Sequence, residues 1–259
     1  MLLDDCYASF INLSSRTDRL EHMQKELSRA GITAERFEAI RTVSNEWNIY
    51  PYETMFNRTR GAIGCWISQV DVMKKGLSLG KHPMVLEDDI VLCSDFKERI
   101  EYIGRFLENK EWDIFFLGGT VHINPPWWHT GGNNPDLRYT VLTRDAECTD
   151  DPRILRSYGA FSTHAYIVNK KSVHKIIELL DSVMHESMGI DWALIKLSQI
   201  LNNFIFLPGC VKQMDNMRDI GNGMTIFSGF SSLGTYWWQD KMKDFDPSTF
   251  DFAECKNNL

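Results

Sequence analysis

The chain of 259 residues is 43% hydrophobic and carries a formal net charge of −7 at pH 7, enough apolar content and length for one large α/β core. An acidic chain with no Lys/Arg-rich run excludes nucleic acid as its principal partner, so a phosphate-bearing substrate has to be met by local cations. No stretch approaches the ~18 apolar residues of a transmembrane helix, and the opening Met1-Leu2-Leu3-Asp4-Asp5 lacks the basic run of a signal peptide; the expectation is a soluble, cytoplasmic protein.

Tyr7 to Leu13 reads as a short apolar strand, and from Thr17 to Ala30 the residues Leu20, Met23, Leu27 and Ala30 recur at helical spacing before Gly31 supplies a stop. Arg36 to Ile40 reads as a second strand, which makes a βαβ unit with a right-handed crossover. After an irregular segment from Arg41 to Thr59, a helix is predicted from about Ala62 to Leu79, with Ile63, Trp66, Ile67, Val70 and Met73 on one face and Gly80 past its end. It delivers the chain into a strand around Met84 to Leu92. Phe96, Ile100, Ile103 and Leu107 mark another amphipathic helix, and Trp112 to Leu117 a buried strand ending at Gly118-Gly119.

From Thr120 to Ser157 the periodicity is lost in a Pro-, Gly-, Asn- and Asp-rich region, read as a functional lid with an edge strand at Tyr139 to Leu142. His164 to Val168 reads as a strand, Ser172 to Met184 and Asp191 to Leu201 as helices, and Phe204 to Leu207 as the last core strand. This alternation gives the α/β class. The expected organisation is one main domain over residues 1–221, with residues 222–259 as an extension packed on it. The six cysteines are widely spaced with no C-x-x-C pair, which points to reduced thiols, and the seven histidines show no ligand spacing.

The most informative stretch is Met84-Val85-Leu86-Glu87-Asp88-Asp89-Ile90-Val91-Leu92, three adjacent carboxylates between two apolar runs. Like charges side by side repel unless something cationic sits among them, and a hard divalent cation that also holds substrate phosphates is one such neutraliser. An acidic hairpin turn is the structural alternative. Arg16 and Arg19 follow the first strand at the carboxyl end where ligands of such sheets bind, and each could fork onto phosphate oxygens or stand as a solvated charge on the first turn of a helix. Gly61, Gly64 and Ser68 lie about a turn apart, which suits close packing against a nucleotide or a neighbouring strand.

Several segments occur in one order: Ile11-Asn12-Leu13 followed by Arg16 and Arg19, Gly61-x-x-Gly64-Cys65-x-x-Ser68, Leu86-Glu87-Asp88-Asp89, and Gly159 before His164-Ala165-Tyr166-Ile167-Val168. Together they resemble glycosyltransferase family 25, which includes bacterial lipooligosaccharide galactosyltransferases, procollagen galactosyltransferases and viral relatives, over most of Ala8 to Ile220. The resemblance implies a GT-A-type nucleotide-sugar transferase fold with a mixed, mostly parallel central sheet flanked by helices. It also implies a UDP-sugar donor, usually UDP-galactose, with glucose and xylose donors as alternatives, a glycan or glycoprotein acceptor, Mn²⁺ with Mg²⁺ as a substitute, and inversion at the anomeric carbon.

Carried onto this chain, the resemblance makes Asp89 the first choice for a metal ligand and Asp88 the second, and puts Glu87 on the ribose or in the turn. It favours Arg16 as a donor-binding residue, with Asn12 and Leu13 placing backbone against the base and Ala39 and Ile40 ending the second strand beside it. The chain departs from the family at Ser68-Gln69, where Ser-His is usual; Gln hydrogen-bonds but does not take up a proton. Inverting transfer needs a base for the acceptor hydroxyl, and Asp191 is the candidate, with a helix N-cap as its structural alternative. The segment Gln213 to Ile220 resembles a late family element with Arg218 replacing Ser; its Asp219 either completes the metal or donor site or is a turn residue. Trp127 and Trp128 suit an acceptor platform for sugar C–H faces, or anchor their loop to the core. Two other classes share these residues: a nucleotide-sugar hydrolase, and a nucleotide- or glycan-binding scaffold without turnover.

Overall fold

The structure is a computed structural model that describes residues 2–41, 60–122, 146–158, 160–161, 163–184, 189–198, 200–206, 209–214 and 234–235. A short 3-10 turn leads into β1 (Cys6–Asn12), followed by α1 (Thr17–Ala30) and β2 (Glu35–Glu38). The second run comprises α2 (Arg60–Ser78), β3 (His82–Glu87), β4 (Ile90–Leu92), α3 (Phe96–Leu107) and β5 (Ile114–Phe116). Four short strands follow: β6 (Thr120–His122), β7 (Ala146–Cys148), β8 (Ile154–Ser157) and β9 (Ala160–Phe161). The chain continues through β10 (Ala165–Val168), α4 (Val173–Val183), α5 (Ile190–Leu197), β11 (Asn203–Phe206), β12 (Val211–Gln213) and β13 (Gly234–Thr235).

The central sheet has eight strands in the order β2-β1-β3-β10-β5-β11-β8-β7. β1 lies parallel to β2 and β3, and β5 parallel to β11, while β10 and β8 run against their neighbours. Six of the eight strands therefore point one way, the mixed, mostly parallel α/β sheet expected. α1 carries the chain from β1 to β2 on one side of β1, and α2 carries it back to β3 on the other. Right-handed crossovers in opposite directions put the two helices on opposite faces of the sheet.

The two hydrophobic layers confirm this. On one face Trp66, Val70 and Met73 of α2 pack with α4 and α5 against Val85, Ile114, Phe116, Tyr166 and Ile205; on the other, Met23 and Leu27 of α1 and the Phe96-Ile100-Ile103-Leu107 stripe of α3 cover Met84, Leu86, Phe115, Ile167 and Phe206. Adjacent strand residues alternate between the layers, as the two-residue period requires. With both faces covered, the strands read as continuous apolar runs in the sequence. α1 ends where Gly31 takes a left-handed conformation (φ 63°) and its N–H returns to the carbonyls of Leu27 and Ser28.

Two expectations are corrected. The strand read around Met84 to Leu92 is broken at Asp88-Asp89, and not as the hairpin that was its alternative: β3 belongs to the central sheet, whereas β4, across the turn, pairs with β12 in a separate two-stranded ribbon. The region from Thr120 to Ser157 is not wholly lid, because β8 is an inner strand of the main sheet beside β11, with β7 outside it. Four residues are too few to display a period, and β8 is held by non-local pairing. The strand read at Phe204 to Leu207 is β11, the last of the central sheet in chain order, and β12 beyond it belongs to the ribbon with β4. The predicted edge strand Tyr139 to Leu142 and nearly all of the irregular segment from Arg41 to Thr59 fall outside the described residues. Of residues 222–259, Gly234–Thr235 are described and pair with β6. Among the described residues, no helix is long and apolar enough to cross a membrane.

Candidate functional site

The chain leaves β1 toward β2 on one side and reaches β3 on the other, so the direction of winding reverses beyond the carboxyl ends of β1 and β3. Such a topological switch point is where open α/β sheets bind ligands. Asn12 ends β1 and Glu87 ends β3, and the Asp88-Asp89 turn follows at once.

Asn12 is fully buried and acts as the knot of this corner. Its Nδ2 donates to Asp88 Oδ2 at 2.7 Å and to the Arg16 carbonyl at 3.1 Å, its Oδ1 accepts from Arg36 Nε at 2.9 Å, and its backbone oxygen accepts from the Ala39 N–H at 3.0 Å. One side chain thus ties β1, the entry to α1, β2 and the acidic turn together. Ile40 is held next door: its N–H donates to Ser68 Oγ at 2.9 Å, and that hydroxyl donates to the Gly64 carbonyl at 2.7 Å. Ser68 therefore fixes α2 against the end of β2. Leu13 accepts the Arg16 N–H in the turn that opens α1.

The cation that the acidic stretch requires comes from the chain itself. Arg19 lies on the inner face of α1 at 6% exposure. Its Nη1 donates to Asp88 Oδ1 at 2.5 Å, and its Nη2 stands 3.5 Å from Asp89 Oδ2. Arg16 is directed elsewhere and grips Asp18 with two prongs, at 2.9 and 2.7 Å.

The three acids have different surroundings. Asp88 is spoken for at both oxygens, by Asn12 and Arg19. Asp89 is buried, and among the described residues its side-chain oxygens meet the longer contacts from Arg19 and from Gln213 Nε2 at 3.3 and 3.4 Å. Burial pushes the Asp89 carboxyl up, Asp88 adds to that, and Arg19 and Gln213 oppose it. Glu87 faces α2, where Cys65 Sγ and Gln69 Nε2 meet its Oε1 at 3.6 and 3.2 Å. Loss of water around it, followed by the charges of Asp89 and Asp88, pushes Glu87 up to about 8.

Asp191 is in electrostatic reach of this cluster, since its charge opposes ionisation of both Glu87 and Cys65. Burial holds its own carboxyl above the usual range. It is not the N-cap: Gly189 takes that position in extended conformation, and Asp191 is the second helical residue, its Oδ1 accepting the neighbouring Trp192 N–H at 2.9 Å. The acid can thus present its second oxygen without ceasing to serve the helix start.

Gln213 reaches Asp89 because β12 is pinned from below. Arg99, fully buried on α3, pairs with Asp95 at 2.8 Å and donates to the Gly209 carbonyl at 2.9 Å, while Cys210 N–H donates to Leu117 O at 2.7 Å. Beyond Gln213, the Met214 N–H donates to the Asp89 carbonyl at 2.8 Å. Gln213, Gln69, Cys65 and Arg99 were not assigned roles from sequence. The available signals were the late Gln-containing segment for Gln213 and, for Arg99, a lone charge within the apolar stripe of α3. Asp219, Trp127 and Trp128 lie outside the described residues.

Among the described residues, no group of three or more His, Cys, Asp or Glu side chains surrounds a cation position. A cation that shares its shell with a diphosphate needs only one or two carboxylates from the protein, however. Asp89, whose carboxylate meets longer contacts among the described residues, fits that single-ligand role more readily than Asp88, each of whose oxygens already accepts a short hydrogen bond from Asn12 or Arg19.

The family model of "Glycosyltransferase family 25 (LPS biosynthesis protein)" matches residues 8–193, from β1 through Asp191. A protein of Acanthamoeba polyphaga mimivirus named "Putative glycosyltransferase R655" is 23% identical over 276 residues, an alignment that takes in 88% of this chain and 84% of that protein. The match spans β1, the clamped acidic turn and the start of α5, and the chain belongs to glycosyltransferase family 25.

Proposed function

We propose that this chain transfers a sugar from a UDP-sugar, with galactose favoured over glucose and xylose, to a hydroxyl of a glycan or glycoprotein, with inversion at the anomeric carbon. The observation that carries the reading is the division of labour between neighbours: Asp88 is engaged by Asn12 and Arg19 in holding the strand ends together, and Asp89 beside it meets longer contacts among the described residues. In this reading Asp89 is the protein's contribution to a Mn²⁺ site, with Mg²⁺ as a substitute. Bound with the diphosphate, such an ion stabilises the charge that grows on the leaving group.

The chain's own residues have three tasks. The ends of β1 and β2, with Asn12, Leu13, Ala39 and Ile40, form a wall for the nucleoside, kept in place by Ser68 and Arg36. Arg16, partly exposed at the mouth, can exchange Asp18 for a phosphate oxygen. Asp191 takes the proton from the acceptor hydroxyl as its oxygen bonds to the anomeric carbon and the bond to the diphosphate breaks, and its raised affinity for protons suits a general base.

Calorimetry of UDP binding with and without Mn²⁺, followed by a hydrolysis screen over UDP-sugars, tests the reading. Slow leakage of one sugar to water identifies the donor without knowledge of the acceptor. Absence of UDP binding under both conditions refutes the proposal.

A further inference from the structure

Gln69 is one of the most enclosed polar side chains among the described residues, with no exposure to solvent. Its amide makes contacts in several directions. The hydroxyl of Tyr166, also fully buried, donates to Oε1 at 2.8 Å, while Nε2 reaches Glu87 Oε1 at 3.2 Å, Cys65 Sγ at 3.2 Å and Thr163 Oγ1 at 3.4 Å. The polarity follows from these partners: with the carbonyl end occupied by the tyrosine proton, only the –NH₂ end is left to face Glu87. An amide reversed by 180° would set its carbonyl against a carboxyl oxygen.

We infer that Gln69 is a positioning residue of the transfer site: oriented by Tyr166, its amide holds Glu87 against Cys65 on the α2 side, the side on which α5 with Asp191 packs, and away from the donor beside Asp88 and Asp89. The inference rests on the reading of Asp191 as the base. Three elements converge to build the arrangement. α2 supplies Cys65 and Gln69 one turn apart, β10 supplies Tyr166 with Thr163 just before it, and β3 ends at Glu87, whose own N–H is held by the His164 carbonyl at 2.8 Å. Asp88 and Asp89 turn away toward Asn12, Arg19 and Gln213. The last residue of β3 thus faces one way and the two acids of the turn after it the other.

The test uses three variants of the full chain. Gln69→Leu keeps the bulk and removes both ends of the amide; Tyr166→Phe removes only the hydroxyl that orients it; Gln69→His keeps a donor toward Glu87 and an acceptor toward Tyr166. The expected result for Gln69→Leu is a transfer kcat lowered about 10-fold or more with UDP affinity within about 3-fold of the parent, and recovery of most of the kcat in Gln69→His. Crystal structures give a readout that needs no activity: the Glu87 carboxyl leaves Cys65 in Gln69→Leu and in Tyr166→Phe, and stays in Gln69→His. Tyr166→Phe carries the test should Gln69→Leu fail to fold. A Glu87 that does not move, an unchanged kcat, or a UDP affinity that falls in step with kcat overturns the inference. A parent protein that moves no sugar from any UDP-sugar instead refutes the transferase reading, and the position of Glu87 in the variants still decides the role of Gln69.

Discussion

Arg19 and Asp88 form a buried ion pair, Nη1 to Oδ1 at 2.5 Å, that joins the first turn of α1 to the turn after β3 across 69 residues of sequence. Both side chains are below 10% exposed, so neither charge can fall back on water if its partner is lost. Arg19→Met is therefore expected to lower stability by about 3–5 kcal/mol, the usual consequence of leaving a buried charge alone. Arg19→Lys keeps the charge but not the reach to both Asp88 and Asp89, and should fall between. Urea denaturation at neutral pH measures both, and a loss below about 1 kcal/mol for Arg19→Met would show the pair to be dispensable.

Replacing each of the adjacent acids by its amide separates scaffold from site. Asp88→Asn breaks the pairing with Arg19 and is expected to destabilise the fold by about 2 kcal/mol or more. Asp89 is in surroundings that resist its charge, chiefly through burial, so Asp89→Asn should leave stability equal or raised at neutral pH. The same change should weaken cation-dependent UDP binding about 10-fold or more, roughly 1.4 kcal/mol. Thermal melts and calorimetry on the two variants test the split, and an Asp89→Asn protein that binds UDP with Mn²⁺ like the parent contradicts the site assignment.

Glu87 gives stability a dependence on pH with a definite sign. Its carboxyl, pushed up to about 8 against an ordinary 4.5, holds its proton in the folded chain where the unfolded chain has released it. The native state then binds more protons over that interval, and unfolding free energy falls as pH rises from about 4.5 to about 8. The contribution is at most about 5 kcal/mol, present in full below the unfolded value and lost above the folded one. Denaturation midpoints at pH 5, 6.5 and 8 without added metal should fall in that order, and Glu87→Gln should flatten the trend. A slope unchanged in Glu87→Gln would assign the effect to other groups.

What the sequence made legible follows from how local each signal was. Met84-Val85-Leu86 and Ile114-Phe115-Phe116 were readable as core strands because both faces of the sheet are covered, which leaves a continuous apolar run. The α1 and α2 helices showed their period and their stop at glycine. β8 was hidden, because two apolar residues, Ile154 and Leu155, are too short a run to mark a strand, and its place is fixed by pairing with β11 and β7. Arg19 was recognisable as a cation beside a strand end, but its target was not: whether it meets a phosphate or a carboxylate depends on where the tip of β3 arrives. Gln69 and Gln213 carry no charge and no periodic signature, and only the fold brings them to Glu87 and Asp89.

Gly118 links the fold to the site more directly than its distance in sequence suggests. It follows Leu117, whose carbonyl takes the N–H groups of Cys210 and Val211, and a Cβ built on Gly118 would fall inside the contact radius of the Val211 carbonyl oxygen and 2.6 Å from His164 Nε2. The obstruction is backbone, so β12 itself would have to shift. Gly118→Ala is thus expected to cost about 1–3 kcal/mol of stability, as forced overpacking does. Because β12 carries Gln213 to Asp89 and Met214 to the Asp89 carbonyl, the same variant should also weaken UDP binding in the presence of Mn²⁺, although Gly118 makes no hydrogen bond to any acid of the turn. Measuring melting temperature and UDP affinity together tests the link: a destabilised variant that keeps the parent's affinity would mean that the position of β12 does not govern Asp89.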